Sequence, residues 1–599
     1  MKDLLNKYFP IIKLIFAASG LISLINSKAY FQVYLFVFAV FVVALALRAW
    51  KIPCKFKNSK INNAVNNWNQ TRTTKLNRSQ FAAKMIFTTI LTLCVLVANY
   101  DLILILINKP LNCFLCFLVI CLGFYIIWNE ILFLVIRGIA AKNTQPEAFV
   151  LSVSKHFIIP WAIIFVVYFI FFIGNLPGYV TADGMNQINQ IISGEYSNHH
   201  PFWNTQLIRL FWIIGGAFDN INVSLSLYLT FQIICISCSF AYIIYTLYGS
   251  MVNRKVCWAI CILFCIVPVY IIYSFELFKD ILFTACVCFF VVSMFRLLKL
   301  KDSNKIANYS VLIISGIAMC VFRSNGLFMF IVSVLFFVLF NIKSIRQYIP
   351  LSAVLATIAI VGILLKFPAL SVMNVKQPDL IEHLSIPGQQ IARVVCECDD
   401  LAQDEQNLIN DVISIDYVKQ YYNPMFFDPI KDGIRIEDTQ SKIAENKAAY
   451  LNLYIDLGLR YPDKYFLAWV DQTKNNWNAG YPCWVYQNLI TWHPDQENIF
   501  SQVWGGNFIE NICSAWRDFS VDNLPIIYSP GFYFWLVIIA LFAAIIKKDR
   551  CLIICIIPVL VLWGSLMISS PTCLEFRYVY PLVCLWPFYF PLVFSSNHR

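Results

Sequence analysis

Residues 161–204 read WAIIFVVYFIFFIGNLPGYVTADGMNQINQIISGEYSNHHPFWN. The segment opens as an uncharged apolar run and breaks abruptly into a polar cluster. That cluster holds Asp183, several amides, and His199-His200-Pro201. An apolar run ending this way is the pattern of a helix that leaves a bilayer. The rest of the chain repeats it. Of 599 residues, 59% are hydrophobic and only 13% charged, against roughly 25% charged in soluble domains. Mean hydropathy is +0.67. The sequence therefore predicts an all-α polytopic membrane protein, since lipid offers no partner to an unpaired backbone amide.

The net charge of +11 is divided unevenly. Residues 368–530 carry 22 acids and 11 Lys+Arg, leaving 12 acids and 34 bases elsewhere. Those bases collect in short loops at 51–60, 252–255, 299–301, 343–346 and 547–550. The positive-inside rule turns these loops to the cytoplasm. It yields about 14 spans with both termini cytoplasmic, near 9–26, 30–49, 84–107, 112–136, 157–175, 223–247, 256–275, 280–298, 306–322, 325–341, 349–367, 531–546, 551–568 and 578–594. The N-terminal run resembles a signal peptide, but a second apolar run follows at once and no small-residue cleavage site stands out, so it reads as a retained span.

This threading divides the chain into N-terminal helices (1–150), a membrane core (151–367) with an extracytoplasmic loop at 176–222, a mostly helical extracytoplasmic domain (368–530) and C-terminal helices (531–599). The segment FWNTQLIRLFWIIGGAF at 202–218 has the spacing of a helix lying along the interface. Most of the 21 cysteines fall in apolar spans as small hydrophobes. A disulfide among Cys396, Cys398, Cys483 and Cys513 stays open.

On the expected outer face the threading gathers Asp183, His199, His200, Glu276, Lys279, Asp280, Arg323, Asn325, Glu575 and Arg577. Ionisable groups at membrane depth are costly, which makes them functional candidates. Plainer readings stand beside each. Asp183 suits a helix N-cap. His199 and His200 can shape a turn before Pro201. Lys279 and Arg323 can snorkel to headgroups. Glu575 and Arg577 can form a structural ion pair. Taken together, the cations suit an anionic ligand, and a carboxylate can deprotonate a hydroxyl or hold a divalent metal.

A span, then a loop with an acid and a helix, then His-Pro leading into an interfacial helix, resembles the first outer loop of GT-C glycosyltransferases. The motifs TADGMNQINQ, HHPFWNT, FKDILF, FRSNG, IPGQQIARVV, YYNPMFFDPIKD, RYPDKYFLAW and EFRYVYP follow in order from about residue 176 to the C-terminus. They resemble an uncharacterised group of bacterial multi-pass proteins related to that class. The resemblance implies transfer of a sugar from a polyprenyl-phosphate carrier to a glycan, lipid or cell-wall acceptor at the bacterial cytoplasmic membrane. It makes Asp183 the catalytic base or a metal ligand. His199, His200, Lys279, Asp280, Arg323, Asn325, Gln389, Gln390, Arg393, Glu575 and Arg577 would bind substrate. A divalent metal ion is the one cofactor left open, because the loop has Ala182-Asp183-Gly184 and no DxD. The expected partners are the lipid bilayer, the lipid-linked donor and the acceptor, with no nucleic acid. A polysaccharide polymerase or ligase, or a flippase of lipid-linked saccharides, is the alternative.

Overall fold

The computed structural model describes residues 13–19, 28–49, 76–101, 112–141, 151–218, 220–300, 305–480, 483–485 and 506–595. The first expected span, 9–26, lies mostly outside them. The chain is a bundle of apolar helices with an inserted helical domain. In chain order its helices are α1 (Lys28–Ala49), α2 (Arg78–Ala98), α3 (Asn112–Ala141), α4 (Ile159–Gly174), α5 (Ala182–Ser193), α6 (Phe202–Gly216), α7 (Ile221–Gly249), α8 (Arg254–Ile266), α9 (Pro268–Ser274), α10 (Lys279–Lys299), α11 (Lys305–Phe322), α12 (Gly326–Asn341) and α13 (Ile349–Lys366). After the insertion begins they are α14 (Ser385–Glu397), α15 (Lys447–Arg460), α16 (Pro462–Thr473), α17 (Gly506–Asn523), α18 (Pro530–Lys547), α19 (Arg550–Ser569) and α20 (Tyr580–Val593).

Among the described residues, nine helical stretches are long and apolar enough to cross a membrane, or ten if α8 and α9, bent by 59°, form one broken span. The chain is thus a multi-pass membrane protein. The expected count of 14 is finer than this. Residues 326–372 count once among the nine but hold both α12 and α13, joined by a 3-10 turn at Ile342–Tyr348. The second and last expected spans correspond to α1 and to the 14-residue α20. The third expected span shifts to Arg78–Ala98, which puts Asp101, an exposed residue, beyond its end.

Helix α10 is the axis. Its 21 residues rise about 31 Å, close to the hydrocarbon thickness, and it packs on α7, α11, α19 and α20. Its two ends are therefore on opposite sides of the bundle. Lys299 at the far end donates to Asp549 at 2.6 Å, so two of the basic loops share that end. Helix α6 lies antiparallel against the start of α7, with Gly215 so close to Ser224 that a Cβ would sit 2.2 Å from its hydroxyl. The outward side of α6 exposes Leu210, Ile213 and Ile214, in keeping with an interfacial helix.

The inserted domain has its own apolar core between Ile381 and Tyr465, built by α14–α16 and the shorter helices between them. Helix α17 does not join that core; it packs on α4 and α9, and Trp516 Nε1 donates to Ile266 O at 3.0 Å. Helices α1–α3 pack on one another and, through α2 and α3, on α18. None of Cys396, Cys398, Cys483 and Cys513 forms a disulfide among the described residues.

Candidate functional site

The site begins with a two-strand detail that alternation of apolar residues does not announce. Strand β1 (Tyr179–Val180) pairs in parallel with β2 (Glu276–Leu277), Tyr179 opposite Glu276 and Val180 opposite Leu277. The bond network continues into α5. Thr181 Oγ1 donates to Leu277 O at 3.2 Å and accepts from Gly184 N at 3.3 Å. Thr181, and not Asp183, is the N-cap of α5. Asp183 falls in the first turn of the helix, where a carboxylate is favoured by the helix dipole. Gly184 is needed for the close approach, because a Cβ there would lie 2.8 Å from Leu277 O. The strand pair thus lays the start of α5 across the start of α10. Asp183 meets Lys279 there.

Seven of the expected residues converge. Lys279 Nζ donates to Asp183 Oδ2 at 3.1 Å and to His200 Nδ1 at 3.0 Å. Arg577 Nη1 donates to Asp183 Oδ2 at 2.7 Å, and its Nε donates to Glu575 Oε2 at 3.0 Å. Arg577 also approaches Asp280 at 3.9 Å, while Arg323 Nη1 pairs with Asp280 Oδ1 at 3.0 Å. Arg323 donates to Tyr578 O at 3.2 Å. Both guanidinium groups lie on aromatic faces: Arg323 is 5.1 Å from the centre of the Tyr578 ring, and Arg577 is 4.6 Å from that of Phe278. Three cations and three carboxylates therefore alternate in one buried chain. Lys279 and Arg323 are ion-paired inside it, which corrects the snorkelling alternative. Glu575 and Arg577 do form the ion pair considered for them, as part of the larger set.

Exposure sorts the group. The side chains of Asp280, Arg577, Arg323 and Glu575 are 0–8% exposed, whereas Lys279 is 15% and Asp183 21% exposed. Asp183 and Lys279 are the members that face out of the cluster. Burial would raise the Asp183 carboxyl, but the Lys279 and Arg577 charges beside it more than reverse this and hold it well below the usual carboxylate range. Burial, then the Lys279 ammonium, pushes His200 well below its ordinary value, so it is neutral. An ammonium can only donate, so His200 Nδ1 accepts and Nε2 carries the proton. That Nε2 is buried without a hydrogen-bond partner among the described residues. Glu276, next to the cluster, is fully buried, and burial lifts its carboxyl to about 8.

The other expected residues lie elsewhere. His199 turns toward Glu382 at 3.8 Å, and Glu382 also binds Lys431 and Arg435. Asn325 donates to Ser565 at 3.1 Å. Gln389, Gln390 and Arg393 do not reach the cluster as substrate ligands. Gln389 donates to Asn423 O, Gln390 donates to Tyr465 O at 3.1 Å, and Arg393 donates to Asp471 at 2.7 Å. Their carboxamides and guanidinium hold the inserted domain together. Sequence reading missed Asp471, which also accepts from Tyr100 at 2.6 Å and Lys474 at 2.7 Å. Lys474 stands three residues after Asp471, but no short-range spacing links that pair to Tyr100 or Arg393. Among the described residues, no three His, Cys, Asp or Glu side chains converge as a metal site.

A profile described as a family of unknown function, DUF6020, matches residues 192–599. The match includes every member of the cluster except Asp183 and omits α1–α4 and all but the last two residues of α5. No curated protein and no solved structure matches the chain.

Proposed function

Because the chain belongs to the DUF6020 family, whose function is unknown, its activity has to be read from the site, and we propose that it is a membrane glycosyltransferase using a polyprenyl-phosphate sugar. The observation that carries this reading is the placement of Asp183. It is the most exposed carboxylate of the cluster, and Lys279 and Arg577 stand 3.1 and 2.7 Å from it. Here one acid and two cations meet where a hydroxyl and a phosphate could be brought together.

In this reading the acceptor hydroxyl gives its proton to Asp183 as its oxygen attacks the anomeric carbon. The bond from that carbon to the phosphate oxygen breaks, and the lipid phosphate leaves as an anion held by Lys279, Arg577 and Arg323. A phosphate leaves already charged, so no general acid is required, and one displacement inverts the anomeric centre. The low basicity of the paired Asp183 fits a resting state. A donor phosphate competing for Lys279 and Arg577 would loosen both from the carboxylate and raise its proton affinity. The polar end of the bundle would face the extracytoplasmic side of a bacterial membrane, with the inserted domain beside the acceptor.

The test is Asp183→Asn in membranes supplied with a polyprenyl-phosphate sugar. A loss of about 10²–10⁴-fold in transfer is expected for removal of a general base. Transfer at the normal rate would sink the assignment. Movement of intact lipid-linked sugar across the bilayer without any transfer would make the protein a flippase instead.

A further inference from the structure

The inserted domain is hollow. Its apolar side chains surround a cavity of about 480 Å³. Packed interiors rarely leave voids much larger than a water molecule, and pockets that hold small ligands run from about 300 to 1,000 Å³. Apart from Phe427, Tyr450, Tyr454 and Lys447, the wall is aliphatic or glycine, with Ala392, Val395 and Ile413 among its members. Water gains no partners against such a wall. An apolar void also destabilises a fold in proportion to its volume. Shape and lining both select an aliphatic ligand.

The opening is marked by two residues of α15. Leu451 lines the cavity and is also 58% exposed. Lys447, one turn earlier, lines it too and is exposed. Lys447 makes no ion pair or hydrogen bond among the described residues, in a domain whose other lysines on this side, Lys431 and Lys442, are engaged. It is the first residue of α15, where the helix dipole adds to its positive charge. Beyond the opening, Ile455 and Leu459 continue the same face at four-residue spacing and are 46% and 78% exposed. A single cation at the mouth of an aliphatic cavity, flanked by an apolar stripe, is complementary to one kind of molecule.

We propose that this cavity holds the hydrocarbon chain of a single-chain anionic amphiphile, with its carboxylate or phosphate at Lys447. The site is separate from the Asp183 cluster, and the proposal stands whether or not the chain transfers sugars. One wall turn connects them: Leu380, Ile381 and Leu384 line the cavity, and Glu382 within that turn pairs with His199, the neighbour of His200.

The experiment uses the full chain in lipid nanodiscs and three photoreactive probes: a diazirine palmitate, a diazirine farnesyl phosphate and the neutral diazirine hexadecanol. Cross-linked peptides are mapped by mass spectrometry. Labelling of cavity residues between 381 and 454 by either anionic probe is expected, and the probe that labels tells a fatty acid from a prenyl phosphate. Ala392→Trp, which fills the cavity, should cut that labelling about tenfold. Lys447→Glu, on the surface, should weaken both anionic probes about threefold and leave hexadecanol unchanged. If Ala392→Trp does not fold, judged by its melting temperature, Ile413→Phe and the Lys447→Glu arm decide. Three outcomes would overturn the proposal. They are labelling restricted to Ile455 and Leu459, equal labelling in a folded cavity-filling variant, and no labelling by either anionic probe.

Discussion

Arg577 donates to Asp183 at 2.7 Å across 394 residues of sequence. This one bond joins the segment after α4 to the turn before α20, so the C-terminal helices are tied to the start of the membrane core at the candidate site. Arg577 is fully buried and also serves Glu575 and Asp280. Replacing it leaves three carboxylates short of a partner. Arg577→Met should cost about 3–5 kcal/mol, the usual result of breaking a buried pair from one side. Arg577→Lys should recover only part, because an ammonium lacks the fork that reaches two acids. Melting temperatures in one detergent compare the three proteins.

The cap of α5 gives a milder and more local effect. Thr181→Ala removes the oxygen that accepts from Gly184 N, for about 1 kcal/mol, and it also loses the bond to Leu277 O. Thr181→Ser keeps both and should behave as the native protein. In a transfer assay, the alanine variant should lose rate while the serine variant does not.

Gly184→Ala tests the close approach directly. The new methyl would meet a backbone carbonyl, Leu277 O, at 2.8 Å, and backbone cannot swing aside as a side chain can. Overpacking of this kind costs about 1–3 kcal/mol. The expected result is a lowered melting temperature together with increased protease nicking between 176 and 201.

Two carboxylates, Asp183 and Glu276, should respond to pH with opposite signs. Asp183 is held below its ordinary value, near 3.9, by Lys279 and Arg577 against the effect of burial. Its stabilisation is present above about pH 4 and is lost as the pH falls through its folded value. Glu276 is raised by burial to about 8. The folded state therefore binds its proton more tightly, and stability falls as the pH rises from about 4 to 8. Glu276→Gln should remove that decline, so the variant should melt higher than the native protein at pH 9. Near pH 5 the two should melt nearly alike. A native protein whose melting temperature does not fall between pH 5 and 9 would refute the burial of an uncompensated Glu276.

The membrane character was legible residue by residue, because the apolar runs that lipid requires are contiguous in sequence. Much of the cluster was legible too. Asp183, Lys279, Asp280, Arg323 and Arg577 each stand at the border of an apolar run, and each is costly there. Pairing was not legible. Asp280 between Arg323 and Arg577 depends on how α10, α11 and α20 pack, which no local pattern encodes. Asp183 as a cap failed because Thr181, two residues earlier, can also cap, and its place after β1 and its bond to Leu277 O set it first. The partners of the Gln389-Gln390-Arg393 motif were not legible either. Its polar groups are spaced along one helix, but their partners, Asn423, Tyr465 and Asp471, come from later helices and draw them into the domain interior.

Asp471 accepts from Tyr100, Arg393 and Lys474. Of these donors only Tyr100 comes from the part of the chain that precedes the family match. The phenol is thus a clasp by which helices outside the family match grip a domain within it. A chain trimmed to start after residue 101 would keep every residue of the charged cluster, yet would leave this carboxylate one donor short where the domain meets the bundle. The earlier helices then count as a brace on the domain's tilt, and their loss would be felt at a distance from any of the groups they touch.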